Sequence, residues 1–558
     1  MASTHPRSRS GSPTQPPEKK PRLEPASVEI QDAPADYQAP PSAAPTAPAK
    51  QPKKHKNKKT ARRAPEPYSH DDILLREVIA LLGQPYADAA KEQNLDWDAP
   101  FQQSQELELT VSCLSPSTGN SLSIASANDR RWVIVTPLSL PGERIRVRVY
   151  RHSQLHSHAD LLEVIEPNPE WRDMSLVQCK YFGKCAGCQY QMLSYEKQLE
   201  LKRQTVVEAY KNYSNIPPEI VPPIGDTIAS PLQYGYRTKL TPHFQRPPFS
   251  FQKAQKRGDG PAVEGKPDWL KIGFHVVGTR QVMDIEECPI ATPVINKGLV
   301  PVRQNVIDNI TKYKNGATLL LRDSLRPDSS SGEAAEDGEH VCVTDQKATV
   351  RERVGDMLFE YTAGTFFQNN NSALVPLTTY ARDAIFPPDA SSASASEKPT
   401  HLVDAYCGSG LFSIMLAPHF TRVAGIELSA ESIRAASRNA ALNGLPASQI
   451  SFLAGDAADI FATVQDFPRA RTALVIDPPR KGTDARFVDQ MLAFGAGTVV
   501  YVSCNVHTQA RDVGLILAKS AERAAAAGGK KYVLESVRGL DLFPQTAHVE
   551  AIAVLRLV

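Results

Sequence analysis

Cys504 stands directly after the strand-like run Thr498–Ser503, in the phrase Ser503-Cys504-Asn505. A cysteine taken alone is more often a small buried hydrophobe than a reagent. Its company changes that reading: a turn Asp477-Pro478-Pro479-Arg480 precedes it, and His548-Val549-Glu550 follows near the start of another strand-like run. A thiolate can add to C6 of a pyrimidine, which makes the otherwise unreactive C5 nucleophilic. C5 must then lose its proton, and Glu550 is the candidate base, with His548 expected on the same face of its strand.

What C5 would receive is suggested upstream. Asp404-Ala405-Tyr406-Cys407-Gly408-Ser409-Gly410 joins a strand-like run to a helix-like one, and its glycines let the backbone approach a ligand closely. Glu427 ends the next strand, where a carboxylate suits two ribose hydroxyls; Asp456 ends the third, near an adenine amino group; Asp477 ends the fourth. Position 413 is Ser, so the Gly-x-Gly-x-x-Gly spacing of a dinucleotide site is absent. A nucleoside cofactor is favoured over a purely structural turn. For Asp477 the bland alternative is a rigid turn whose carboxylate caps the following helix.

These residues need a scaffold, and the pattern after Thr400 supplies one. Strand-like runs at 401–404, 423–427, 450–453, 473–477, 499–503, 532–537 and 548–557 alternate with helical stretches such as 430–443. That is a doubly wound α/β sheet, with ligands gathered at the strands' carboxyl ends. Before it, a helix is expected over 71–82, short strands with Pro/Gly punctuation over 105–166, and a long helix over 194–213. The short strands suggest a small barrel of the oligonucleotide-binding kind, or an unspecialised β module.

Composition sets the limits. The 558 residues are 41% hydrophobic, enough for two to four domains, and no apolar run reaches the eighteen residues a membrane span needs. Eight cysteines are too sparse for a disulfide framework, so the chain reads as intracellular. Residues 1–70 are rich in Pro, Ser, Ala and Lys and are expected to be disordered. The start lacks the apolar core of a secretory signal, and eight Lys/Arg without an acid lie between Lys50 and Arg63. Such a tract is a nuclear import signal, an RNA-binding arm or a solvated tail. Arg7 and Arg9 keep a mitochondrial address open beside nucleus and cytoplasm. Low-complexity stretches at 328–339 and 389–397 read as surface loops.

Taken together, Phe366-Phe367-Gln368-Asn369-Asn370, the 404–410 loop, Asp477-Pro478-Pro479-Arg480-Lys481-Gly482, Ser503-Cys504-Asn505 and His548-Val549-Glu550 resemble the RNA uracil-5-methyltransferases of the TrmA/RlmD type. The resemblance spans about residues 105–558, with the motifs in the family's order; Val506 replaces the usual proline. It implies a Rossmann-like S-adenosylmethionine-dependent domain at 376–558, a central α+β domain at 168–375, a TRAM-like β-barrel at 105–167 and a helical linker at 71–104. Cys504 would be the nucleophile and Glu550 the base. Gln368, Tyr406, Glu427, Asp456 and Asp477 would contact S-adenosylmethionine. Cys179, Cys185, Cys188 and Cys288 resemble the four ligands of a [4Fe–4S] cluster in the ribosomal branch, with zinc or empty thiols as alternatives.

The expected substrate is the T-loop uridine, position 54, of tRNA, with ribosomal RNA as the alternative. No protein partner is expected, and the chain would act as a monomer. A cytosine-5 enzyme is disfavoured because its Thr-Cys and Pro-Cys phrases are missing. A non-catalytic RNA-folding protein is the reading from another class.

Overall fold

The computed structural model describes residues 64–257, 265–326, 338–387, 398–455, 461 and 463–558. The basic tract at 50–63, most of 328–339, all of 389–397 and the candidate ligand Asp456 lie outside them. Among the described residues, no helix is long and apolar enough to cross a membrane.

The first helix, His70–Leu82, begins where Ser69 accepts a hydrogen bond from the Asp72 amide. Its apolar stripe Leu74, Val78 and Leu82 packs on Leu122, Val133 and Val135 of a six-stranded sheet. That sheet runs Glu106–Thr110, Arg144–His152, His156–Glu166, Arg130–Thr136, Ser121–Ala127, Cys113–Leu114. All pairs are antiparallel except Arg130–Thr136 with His156–Glu166. The Arg144–His152 strand shows the period of two plainly. Ile145, Val147 and Val149 join Trp132 and Ile134 in the core. Arg144, Arg146 and Arg148 face outward and pair with Glu108 and Glu166, Glu163, and Asp160 respectively.

The sheet that carries the candidate site has eight strands, in the order Ile450–Ala454, Arg422–Glu427, His401–Ala405, Thr472–Ile476, Thr498–Ser503, Glu550–Leu557, Tyr532–Leu540, Gly225–Ile228. The first five are parallel. Glu550–Leu557 runs antiparallel to both its neighbours. Both faces are covered: Val403, Leu474 and Val499 enter one core, and Leu402, Val475 and Val500 the other. Continuous apolar runs follow from that burial on two sides. Every strand-like run read from the sequence after residue 400 forms a strand. The edge strand Gly225–Ile228 comes from the central region and pairs in parallel with Tyr532–Leu540.

The helix Tyr195–Tyr213, capped by Ser194, also belongs to this packing. Val206, Ala209, Tyr210 and Tyr213 share a core with Val506, Ala510 and Val513 of the helix Val506–Ala527. The two approach so closely that a Cβ on Gly514 would lie 1.7 Å from the Ser214 carbonyl oxygen. Only glycine permits that contact.

Candidate active site

The backbone register decides where the thiol and the base meet. Ser503 pairs with Ala551 across the antiparallel Thr498–Ser503 and Glu550–Leu557 strands. One residue further, Cys504 faces Glu550. The final strand begins at Glu550, so His548 is not on that strand's face as the sequence suggested. It sits in the approach loop and still reaches the carboxylate, with Nε2 3.4 Å from Glu550 Oε1. The His548 ring rests edge-on to Phe543, and its side chain is 33% exposed against 6% for Glu550.

Three hydrogen-bond sets hold this geometry; Asn505 and Arg480 belong to phrases the sequence singles out, whereas Thr508 and Gln509 carry no motif. Asn505 caps the helix Val506–Ala527 by accepting from the His507 amide, and its Nδ2 donates to the Arg480 carbonyl at 3.1 Å. Thr508 Oγ1 donates to the same carbonyl at 3.0 Å, so the Asp-Pro-Pro-Arg turn and the nucleophile turn are tied together. Gln509 Nε2 donates to Tyr501 O at 2.8 Å and Ala551 O at 3.0 Å, spanning the two strands behind Cys504 and Glu550.

The loop leading to the base is clamped from the central region. Lys202 Nζ, fully buried, donates to Asp541 Oδ1 at 2.5 Å and to Phe543 O at 3.0 Å. Gln198 and Gln545 exchange hydrogen bonds at 3.0 and 3.1 Å. A buried ion pair broken on one side leaves an uncompensated charge, so this clamp tolerates no halfway substitution.

Electrostatically the cleft is short of positive charge. Burial, then Glu550 and Asp477, push the Cys504 thiol up to about 12; a hydrogen bond from Arg480 and its charge pull the other way. Burial also pushes Asp477 well above the carboxylate range, with Glu550 and Asp404 adding to it. Asp404 is pushed to about 7, chiefly by burial. Its Oδ2 accepts from the Ser413 amide and hydroxyl at 2.8 and 2.5 Å, while its Oδ1 is buried without a partner. Acids and a thiol that raise one another in a low-dielectric cleft favour a cationic ligand.

The candidate cofactor residues line up with that cleft in part. Glu427 accepts from the Gly408 amide at 3.3 Å and the Ser429 amide at 2.9 Å. Tyr406 sits at φ 65, a conformation non-glycine residues seldom adopt, with its ring 5.8 Å from Phe487. Gly410, at φ 91, opens the helix Leu411–Leu416, and a Cβ there would crowd Ile414 at 3.0 Å and Ala436 at 3.2 Å. Gln368 is half-buried, two residues before Asn370, whose Nδ2 donates to Ser230 Oγ and to Leu542 O.

The four-cysteine expectation meets a mixed outcome. All four thiols are free: burial first, then Cys288, Cys185 and Cys179 push Cys188 up, and burial with Cys185 and Cys179 raises Cys288 to about 11. They share one neighbourhood. Yet among the described residues no three His, Cys, Asp or Glu side chains stand at the spacing that holds a metal ion. Among the described residues the thiols therefore do not present a formed iron–sulfur or zinc site.

A sequence model of a family described as tRNA (Uracil-5-)-methyltransferase matches residues 338–556. A Schizosaccharomyces pombe protein named tRNA (uracil(54)-C(5))-methyltransferase is 42% identical over 499 residues, covering 89% of this chain and 85% of its own. The chain belongs to the tRNA (uracil-5-)-methyltransferase family. A Saccharomyces cerevisiae protein of the same name is 38% identical, covering 79% of this chain and 72% of its own. The fold agrees with a solved Pyrococcus abyssi structure, titled as a tRNA (uracil-54, C5)-methyltransferase in complex with S-adenosyl-L-homocysteine. That match has a TM-score of 0.52 and 20% identity over 80% of this chain and all of the other. The Rossmann-like sheet and the methyltransferase expectation are both met.

Proposed function

We propose that this enzyme methylates C5 of uridine 54 in tRNA through a covalent adduct between Cys504 and C6. The observation that carries the reading is the strand register that sets Cys504 against Glu550, beside Asp477 and Arg480. S-adenosylmethionine, whose sulfonium and ammonium charges suit the acid-lined cleft, supplies the methyl group when bound. Gln368, Tyr406, Glu427 and Asp477, with Asp404 at the start of the same loop, would hold it.

The steps at the protein are these. The Arg480 hydrogen bond favours the thiolate, and bound positive charge in the cleft lowers the thiol further. Cys504 Sγ bonds to C6 while the C5–C6 π electrons move toward O4. C5 then takes the methyl group, whose bond to the donor's sulfonium sulfur would break with its electron pair left on that sulfur as a neutral thioether. Glu550 takes the C5 proton, the C5–C6 double bond re-forms, and the C6–S bond breaks with its electrons returning to Cys504. His548, in contact with Glu550 and partly exposed, hands that proton to solvent.

The target base must leave its stack to reach a thiol this buried. The six-stranded sheet is inferred to be a TRAM-like RNA-binding module. Its 115–120 loop borders the nucleophile's helix, where Ser117 Oγ lies 3.4 Å from His507 Nε2 and Tyr190 hydroxyl donates to Pro116 O. The test is direct: incubate purified protein with labelled methyl donor and unmodified tRNA, a U54C transcript, and ribosomal RNA. Label confined to the tRNA bearing U54 is expected. Equal labelling of the U54C transcript, or labelling of ribosomal RNA alone, overturns the assignment.

A further inference from the structure

The helix Phe249–Arg257 has two unlike faces. Inward, Phe251 packs against Trp269 with ring centroids 5.1 Å apart, and Gln252 Nε2 donates to Pro247 O and to Lys314 O. Outward stand Phe249, Lys253, Lys256 and Arg257, all exposed, Phe249 at 72%. At 3.6 residues per turn these four fall within about 100° of arc. Arg246, just before the helix, and Lys314, anchored beside it by Gln252, are exposed as well.

From Thr241 to Arg257 the chain has no Asp or Glu. Among the described residues, none of Arg246, Lys253, Lys256, Arg257 and Lys314 has an acidic partner. The arginine row on the N-terminal sheet is the reverse, since each of its members is matched by an acid. Uncompensated cations beside one exposed aromatic ring are what a nucleic-acid strand asks for: phosphates for the cations, a base face for the ring. A lipid surface would ask for more apolar area than one phenyl ring.

We propose that this face is an RNA-docking surface, contacting the substrate's phosphates through Lys253, Lys256 and Arg257 and stacking an unpaired base on Phe249. The proposal rests on an RNA substrate, so the test separates the two. The full-length protein and its Lys253→Glu/Lys256→Glu/Arg257→Glu variant are compared for tRNA binding by anisotropy between 50 and 200 mM salt (about the range where phosphate contacts show most) and for methyl transfer. The variant should bind roughly tenfold more weakly at about 0.15 M salt, with a shallower salt dependence, and KM should rise while kcat holds.

A charge-preserving variant, Lys253→Arg/Lys256→Arg/Arg257→Lys, should behave as the parent, which excludes damage to the helix. Phe249→Ala should weaken binding by about fivefold without changing the salt slope. Charge-reversed protein that binds tRNA within twofold of the parent, with the same slope, overturns the proposal while leaving the enzyme's reaction intact. So does a parent whose face instead captures phosphatidylserine vesicles. A parent that neither binds nor methylates tRNA overturns the functional reading beneath it.

Discussion

Two thiol neighbourhoods, about as deeply buried as each other, differ in what surrounds them. Cys188 is raised by burial and by three other thiols, and what opposes the shift there is a hydrogen bond with the uncharged Gln191. Cys504 is raised by burial and by two carboxyls, but a guanidinium hydrogen-bonds it and opposes the shift. Burial alone makes a thiol inert. What makes one reactive is a partner that favours the anion, a base across the strand pair, and room for a ligand whose charge completes the balance. Cys504 has the first two in Arg480 and Glu550, and on the proposed reading it is the thiol that does the covalent work.

The largest effect should come from removing that thiol. Cys504→Ala should lower methyl transfer by about 10⁴-fold or more, with cofactor binding by calorimetry near the parent's. Substantial turnover would erase the distinction between the two neighbourhoods. Next, Glu550→Gln should cut turnover by about 10²–10⁴-fold and leave a protein–RNA adduct that survives denaturing electrophoresis. Loss of the Glu550 charge also eases ionisation of Cys504, so adduct formation should not slow. A variant without adduct and with normal rate would remove Glu550 from its role.

Smaller effects sharpen the comparison. Arg480→Gln should reduce turnover by about tenfold and move the pH dependence to higher pH without changing its slope. With the free thiol held near 12, the thiolate fraction climbs about tenfold per pH unit below that value. kcat/KM at limiting RNA and cofactor should therefore rise from about pH 6 to pH 9; a plateau below neutrality would contradict the raised thiol. Finally, Cys188→Ser should leave kcat within about threefold and cost about 1–3 kcal/mol of stability, read as a fall in Tm of several degrees. If Cys188→Ser and Cys504→Ala lost activity equally, the second neighbourhood would be part of the reaction.

Much of this was readable in advance because the signals are local. The strand-like runs after residue 400 and the long helix over 194–213 each rest on signals within a few residues, and each became the element expected. Cys504, Glu550, Glu427 and Asp477 were named from strand ends for the same reason. Pairings between distant segments were not readable. That Cys504 faces Glu550 depends on a register set by both strands and by Gln509 behind them. Gly225-Asp226-Thr227-Ile228 carries no strand period of its own, and only the edge it joins makes it a strand. His548 was misplaced because a two-residue offset implies one strand face only if both residues are in the strand.

The strand Gly225–Ile228 and the helix before it have a practical bearing on dissection of the molecule. The unit that performs the reaction is discontinuous in sequence: its sheet is finished by residues far upstream of the cofactor loop, and its last loop is pinned by Lys202. A fragment cut just before the methyltransferase motifs would carry every reacting group yet expose the edge beside Tyr532–Leu540 and the apolar flank of Val506–Ala527. It would be prone to self-association rather than turnover. The catalytic part cannot be moved to another protein as one contiguous cassette; a graft has to take the 195–228 stretch with it.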